Sequence, residues 1–188
     1  YTHTFNLQIT SLGSIKTKLI RKDIFEDVES VFLYLLLIER NPSDVPSAFL
    51  NKSFPKFETK SLFDKEKMIS HNNLKDKIVL VNFFASWCKP CRDEHIYIKK
   101  ISNNKKIKLI GINYKDNQTK SLKWLKKYGN PYSEVAIDKN GKIAIDWGVY
   151  GIPETFIINS KGIIKFRHVG PITDDIYEKI KFIIKNSE

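Results

Sequence analysis

The order of apolar runs along the 188 residues predicts an α/β fold, a mixed central sheet with helices on both faces. Three observations predict it. Short β-prone runs alternate with segments at helical spacing through the middle of the chain. The chain then closes with two strand-like runs around a Gly-containing turn, followed by an amphipathic helix. Its composition, 41% hydrophobic and 12% aromatic, supplies a core for one domain of ordinary size plus an extension.

Residues 1–40 read as an N-terminal extension, with an amphipathic helical candidate from Asp23 to Glu39. Its most apolar stretch, Val31–Ile38, is closed off by Glu29 before it and Glu39-Arg40 after it, far short of the roughly 20 apolar residues of a bilayer span. It reads as a short packing helix or as a partial membrane anchor, and without a small-residue cleavage site it is not a signal peptide. Residues 41–50 form a linker, because Asn41-Pro42-Ser43-Asp44-Val45-Pro46-Ser47 has two prolines and no periodicity. The globular domain covers 51–188.

Within that domain, Phe54-Pro55-Lys56-Phe57 is an extended segment followed by a loop. Ile78–Phe84 is a buried strand and Pro90–Ile101 a helix; Ile107–Asn113 is a second apolar strand. Leu122, Leu125 and Tyr128 share one helical face over Gln118–Tyr128. Val135–Ile137 reads as a strand, with Asn140-Gly141 as a hairpin-type turn leading to Ile143–Trp147. Thr155–Asn159, the turn Ser160-Lys161-Gly162 and Ile163–Val169 make a β-hairpin, and Thr173–Ile184 is the closing helix.

The formal charge of +11 invites a nucleic-acid or membrane partner. The lysines, however, are scattered (Lys99-Lys100, Lys105-Lys106, Lys126-Lys127), and neither an RNA-binding motif nor a basic helix stands out. The charge therefore reads as solvated surface, and no nucleic-acid partner is expected.

The chemistry lies in Trp87-Cys88-Lys89-Pro90-Cys91, which holds the two cysteines of the chain. A strand precedes them and a helix follows, so Cys88 stands at a helix start, where amide groups and the macrodipole favour a thiolate. Two thiols three positions apart on a first helical turn are close enough to close a disulfide, so dithiol/disulfide exchange is the leading reading. Cys88, at the exposed helix start, is the expected attacking thiolate. Cys91, one turn in, is the expected resolving thiol, releasing substrate from a mixed disulfide. Lys89 adds positive charge beside Cys88, and Pro90 fixes φ in the first turn without sacrificing a needed amide.

Rival chemistries fit poorly. Cys88, Cys91 and His95 would make three zinc ligands, but a structural site needs four and His3, His71 and His168 are scattered. No metal is expected. Covalent haem attachment would need His after Cys91, where Arg92 stands, and the Thr-x-x-Cys of a peroxidatic site has Ala85 in its place. A second constellation, Gly151-Ile152-Pro153-Glu154-Thr155, is a tight turn entering a strand; these residues leave the isomer of the Ile152-Pro153 bond open.

Strand, Trp-Cys-x-x-Cys, helix, then Ile152-Pro153 before a hairpin resembles the thioredoxin fold. That likeness implies a cis proline opposite the cysteines, with Ile152 offering its backbone to an extended substrate. More specifically, the domain resembles the membrane-anchored cytochrome c biogenesis thiol:disulfide interchange proteins, the DsbE/CcmG family. The segments that carry this are Gly111-Ile112-Asn113-Tyr114-Lys115-Asp116, Trp124-Leu125 with Tyr128-Gly129-Asn130-Pro131-Tyr132, Asp146 to Phe156, and Arg167-His168-Val169-Gly170-Pro171, with Asn41 to Ser47 ahead of them. The likeness covers about residues 41–185.

The resemblance implies a bacterial periplasmic reductant at the inner membrane. Its electrons would come from a membrane thiol carrier, and it would reduce the disulfide of apocytochrome c before haem attachment. It would work as a monomer, with the Cys88–Cys91 disulfide in place of any cofactor. The family's acidic active site maps onto Glu154, beside Pro153, and Glu94, after the cysteines. A carboxylate there would oppose thiolate formation and relay protons. Asn82 lies six residues before Cys88, where general thioredoxins carry a buried Asp, and Val31–Ile38 stands where the family carries its membrane anchor. Two other readings remain at this stage, a general thioredoxin-like reductant and a non-catalytic module that binds apocytochrome.

Overall fold

The computed structural model describes residues 49–74 and 77–186. The expected extension over 1–40, its helical candidate and the linker up to residue 48 lie outside the described residues. Among the described residues no helix is long and apolar enough to cross a membrane.

The central element is β3 (Ile78–Phe84), buried at every position. It has parallel β4 (Ile107–Tyr114) on one side and antiparallel β6 (Glu154–Ile158) on the other. Parallel β5 (Glu134–Asp138) and antiparallel β7 (Ile164–Val169) complete a mixed sheet in the order β5-β4-β3-β6-β7. The unbroken run Ile78-Val79-Leu80-Val81 has this cause, since a central strand covered on both faces has no reason to alternate with polar residues.

The two-residue period of the strands splits the core into two layers. Ile78, Leu80 and Phe84 face the helices α1 (Lys89–Ser102), α2 (Gln118–Tyr128) and α4 (Asp174–Lys185), packing with Ile98, Leu125, Ile180 and Ile184. Val79, Val81 and Phe83 face the other way, toward Phe54, Phe57, Ile69, Leu74 and the short helix α3 (Lys142–Asp146). At the centre of this second layer Trp147 is fully buried, with ring centroids 5.2 Å from Phe156, 5.7 Å from Phe83 and 5.9 Å from Phe54.

The expected elements recur with shifts of a residue or two at their ends, and two stretches differ. Lys142–Asp146 after Asn140-Gly141 is helical and not the second limb of a hairpin. Gly141 does turn the chain, at φ 76°, but Asp138 then accepts from the amides of Ile143 (3.2 Å) and Ala144 (2.9 Å), which holds the turn as helix. The loop expected after Phe57 contains a small antiparallel pair, β1 (Glu58–Lys60) and β2 (Met68–Ser70), followed by a 3-10 turn over His71–Leu74. Three-residue strands with one buried apolar residue, Ile69, leave little pattern to read. The pair is a separate two-stranded sheet, and the chain just after β1 meets the edge strand β5, where the Leu62 amide donates to the Val135 carbonyl at 2.8 Å.

Candidate active site

β3 runs into the turn Ala85-Ser86-Trp87, and α1 begins at Lys89 with Cys88 as its N-cap. The Cys91 amide donates to Cys88 Sγ at 3.1 Å, so the cap is a sulfur held by a helix-end N–H. In the reduced protein the same amide, with the macrodipole behind it, would stabilise a Cys88 thiolate. Cys88 and Cys91 are joined as a disulfide. Both are buried, 5% and 2% exposed, so Cys88 differs little from Cys91 in exposure despite its place at the helix start. Trp87 is the exposed residue of the motif at 59%.

The Ile152-Pro153 bond is cis. The Ile152 carbonyl oxygen lies 3.7 Å from Cys88 Sγ, so the loop entering β6 stands over the dithiol. Gly170 N–H donates to the Pro153 carbonyl at 3.0 Å, fixing that loop from the far end of β7.

The turn before Cys88 is clamped from β4. Asp116 accepts from Ser86 through both the amide (2.5 Å) and the hydroxyl (2.9 Å), and also from the Asn117 amide (2.7 Å), the Ser121 hydroxyl (2.8 Å) and Asn113 Nδ2 (3.2 Å). Burial raises this carboxyl's pKa, but the hydrogen bonds from Ser86, Ser121 and Asn113 outweigh it and hold Asp116 below its ordinary value. Next to it Trp87 Nε1 donates to the Lys115 carbonyl at 3.3 Å. Asp116 and Ser86 were not singled out from the sequence as site residues; Asp116 closes one of the segments that carry the family resemblance.

Behind the cysteines lies a buried polar network. Glu94 is one turn beyond Cys91 on the inward face of α1 and 1% exposed, so it is not a solvated helix carboxylate. Its Oε1 accepts from Asn82 Nδ2 at 2.8 Å and its Oε2 from the Ile172 amide at 2.9 Å. Asn82 also donates to Thr155 Oγ1 (3.1 Å) and accepts from the Tyr132 hydroxyl (2.7 Å). Burial pushes the Glu94 carboxyl up from 4.5 to about 7, against the lowering effect of the two hydrogen bonds. The neighbouring His95 turns away, with Nε2 2.9 Å from the Gly129 carbonyl and its ring edge-on to Trp124.

Glu154 does not join this network. Thr155, next to it on β6, reaches Asn82 on the α1 face, whereas Glu154 pairs with Arg167, whose Nη2 donates to the Gly148 carbonyl at 2.6 Å. Glu154 also accepts from the Tyr150 amide at 3.3 Å. Burial raises its pKa, and Arg167 offsets part of that rise. Lys89 is exposed and bonded to Asp93 at 3.0 Å, so much of its charge beside Cys88 is balanced. Pro90 sits in the first turn of α1, and among the described residues no group of three or more His, Cys, Asp or Glu is placed to hold a metal ion.

Residues 50–180 match the redoxin family profile. The chain is 37% identical over 172 residues to the thiol:disulfide interchange protein DsbE of Allochromatium vinosum, covering 91% of this chain and 94% of that protein. It is 40% identical over 140 residues to DsbE of Escherichia coli (strain K12), covering 74% and 75% of the two. A DsbF homologue from Corynebacterium diphtheriae superposes with a TM-score of 0.64 over 78% of this chain and 96% of that chain. At 22% identity this last likeness speaks for the fold alone.

Two predictions follow from these carboxyls, with opposite signs. Asp116→Ala leaves the Ser86 amide and the Ser121 hydroxyl without their charged acceptor, and should cost about 2–3 kcal/mol in urea unfolding at neutral pH; a loss under about 0.5 kcal/mol would show that the clamp is dispensable. Glu94 acts the other way. Between 4.5 and about 7 folded Glu94 keeps a proton that the unfolded chain has released, so its contribution to stability falls as pH rises through that window. The fall should be on the order of 3 kcal/mol. Glu94→Gln should flatten it, and an equal slope in the variant would assign the effect to another group.

Proposed function

The chain belongs to the redoxin family, among its DsbE-type thiol:disulfide interchange proteins, and from this premise we propose that it reduces the disulfide of apocytochrome c before haem is attached. It is a protein disulfide oxidoreductase. The observation that carries the reading is the Cys88–Cys91 pair at the start of α1, facing the Ile152 carbonyl and backed by the buried carboxyl of Glu94. What supports apocytochrome c as the substrate is the set of family-specific segments in the sequence, several of which build the site. Asp116 clamps the Ser86 turn, Tyr132 reaches Asn82, and Tyr150 to Pro153 forms the loop over the dithiol.

In this proposal the reduced Cys88 thiolate attacks one sulfur of the substrate disulfide. The S–S bond breaks, the departing substrate sulfur takes up a proton, and a mixed disulfide forms at Cys88. Cys91 gives its proton to Glu94, attacks Cys88 Sγ and displaces the second substrate thiolate, which is protonated in turn. Two electrons pass to the substrate, and the Cys88–Cys91 disulfide remains, to be reduced by the dithiol of a membrane thiol carrier. A carboxyl poised near 7 serves this step, because it can accept a proton at neutral pH and return it when the dithiol is restored.

The other residues position the partners. Ile152, beside cis Pro153, offers backbone to an extended substrate segment, and exposed Trp87 gives it an aromatic surface. Pro90 sets the first turn, and Lys89 leaves a weak positive field at Cys88. Glu154 holds the loop leading to Pro153 through Tyr150 and Arg167. The Cys88–Cys91 disulfide is the redox group, and in this reading the protein acts as a monomer without a further cofactor. The bacterial periplasm, at the inner membrane, is the setting we infer from the family resemblance; the confinement of both cysteines to the redox motif fits an envelope space and a reducing cytosol alike.

A trap tests the substrate. Cys91→Ser leaves a mixed disulfide at Cys88 unresolved, so the variant is offered an oxidised Cys-x-x-Cys-His peptide together with an unrelated disulfide peptide. Capture of the first in at least about tenfold preference, read by non-reducing mass spectrometry, is the expected result, since that ratio needs only about 1.4 kcal/mol of discrimination. Equal capture would make the protein a general reductant, and absence of capture would argue for a binding module or a different nucleophile.

A further inference from the structure

Gly111 lies within β4, directly across from Asn82 on β3. A Cβ built at this position would stand 2.8 Å from the Phe84 ring and 3.1 Å from the Tyr132 ring. A glycine in a central strand marks a close approach of something to the backbone. Here that something is Tyr132, whose ring lies over the bare backbone of β4, stacked on Phe84 with centroids 4.8 Å apart. Only by crossing β4 at this gap does its hydroxyl reach Asn82 Oδ1 on β3, at 2.7 Å.

We propose that Tyr132 is a positioning residue of the exchange reaction: its hydroxyl fixes which end of the Asn82 amide faces Glu94, and so sets how readily Glu94 takes up a proton. This rests on the reading that Glu94 exchanges a proton with Cys91. Asn82 has one acceptor end and one donor end. With the Tyr132 hydroxyl donating to Oδ1, both Nδ2 hydrogens are directed to Glu94 Oε1 and Thr155 Oγ1. That orientation suits a carboxylate. The flipped amide would set its oxygen against Glu94, which suits only the protonated acid. Without the hydroxyl, the flip becomes cheap and the acid form gains.

The other groups around Glu94 do not compete for this role. From the loop after β7 it receives the Ile172 amide, and Cys91 is buried three positions before it on the same helix. On β7 His168 stands opposite Thr155 with Nε2 3.1 Å from the Pro171 carbonyl, and burial keeps its imidazole biased toward the neutral form. Lys179 of α4 lies over the Phe166 ring, 5.5 Å from its centroid. Tyr132 itself stays protonated, since burial and the neighbouring Glu94 both push its phenol up.

The test follows the Glu94 side-chain carboxyl by ¹³C NMR across a pH titration of the full chain in the disulfide form, with Glu94→Gln to assign the signal. Tyr132→Phe keeps the ring and its stacking while removing the hydroxyl. The Glu94 midpoint should rise by about half a pH unit to one unit, a roughly three- to tenfold change in proton affinity, with the far-UV circular dichroism unchanged. Gly111→Ala, which pushes the ring away from the gap, should move the midpoint in the same direction. An unchanged midpoint in Tyr132→Phe overturns the proposal. The underlying reading is tested apart, by the pH profile of disulfide exchange. A profile that shifts with the midpoint supports the link; a shifted midpoint with an unmoved profile removes Glu94, and Tyr132 with it, from the reaction.

Discussion

The arrangement around the dithiol depends on one buried hydrogen bond, from Asn82 on the central strand to Glu94 on the helix that carries the cysteines. A carboxyl taken out of water is costly unless it is neutralised or well bonded, and Glu94 balances between these two solutions. Two donors reach it, Asn82 and the Ile172 amide, which is enough to hold it in place without restoring its ordinary acidity. Because the side chain at 82 is an amide and cannot ionise, Glu94 is the group of this network that exchanges a proton near neutral pH. The same bond ties α1 to β3, so the chemistry and the packing share an anchor.

From that anchor the rest of the site is built by short links, each leaving a different strand end. Ile172 brings in the loop after β7, which holds the carbonyl of cis Pro153 through Gly170 and thereby the Ile152 carbonyl over Cys88. Tyr132 brings in the segment before β5. On the opposite side of the motif, Asp116 and the Lys115 carbonyl fix Ser86 and Trp87. The Cys88-Cys91 pair is therefore fixed by helix geometry from within and by three separate loops from outside. Glu154 serves the same end from the other face of the sheet, where Arg167 compensates its burial.

Much of this was legible in the sequence. Ile78–Phe84 announced a central strand because burial on both faces removes alternation, and the Trp87 to Cys91 motif announced the helix start and its redox pair. The short elements were not legible. Three residues of Glu58–Lys60 cannot establish a period, and the helix at Lys142–Asp146 depends on Asp138, which caps it from the preceding strand. In the site, Glu94 sits in the polar run Arg92-Asp93-Glu94-His95, where only the direction of the helix face distinguishes a buried carboxyl from the solvated one at Asp93. Tyr132 was visible as part of a family-like segment, but its reach to Asn82 depends on the gap left by Gly111, which is a property of strand register and invisible in one dimension.

The central claim is that Glu94 takes the proton of Cys91 as the mixed disulfide resolves. The most direct measurement prepares the protein with glutathione on Cys88 and follows release of glutathione by stopped flow from pH 5 to 9, in the wild type and in Glu94→Gln. The account predicts a wild-type rate that rises through an inflection near pH 7, and a variant in which that inflection is lost and resolution at neutral pH is slower by about 10²-fold, the lower end of what a positioned general base contributes. Superimposable profiles would contradict it, and would leave Glu94 as a structural link between helix and strand with no part in the exchange.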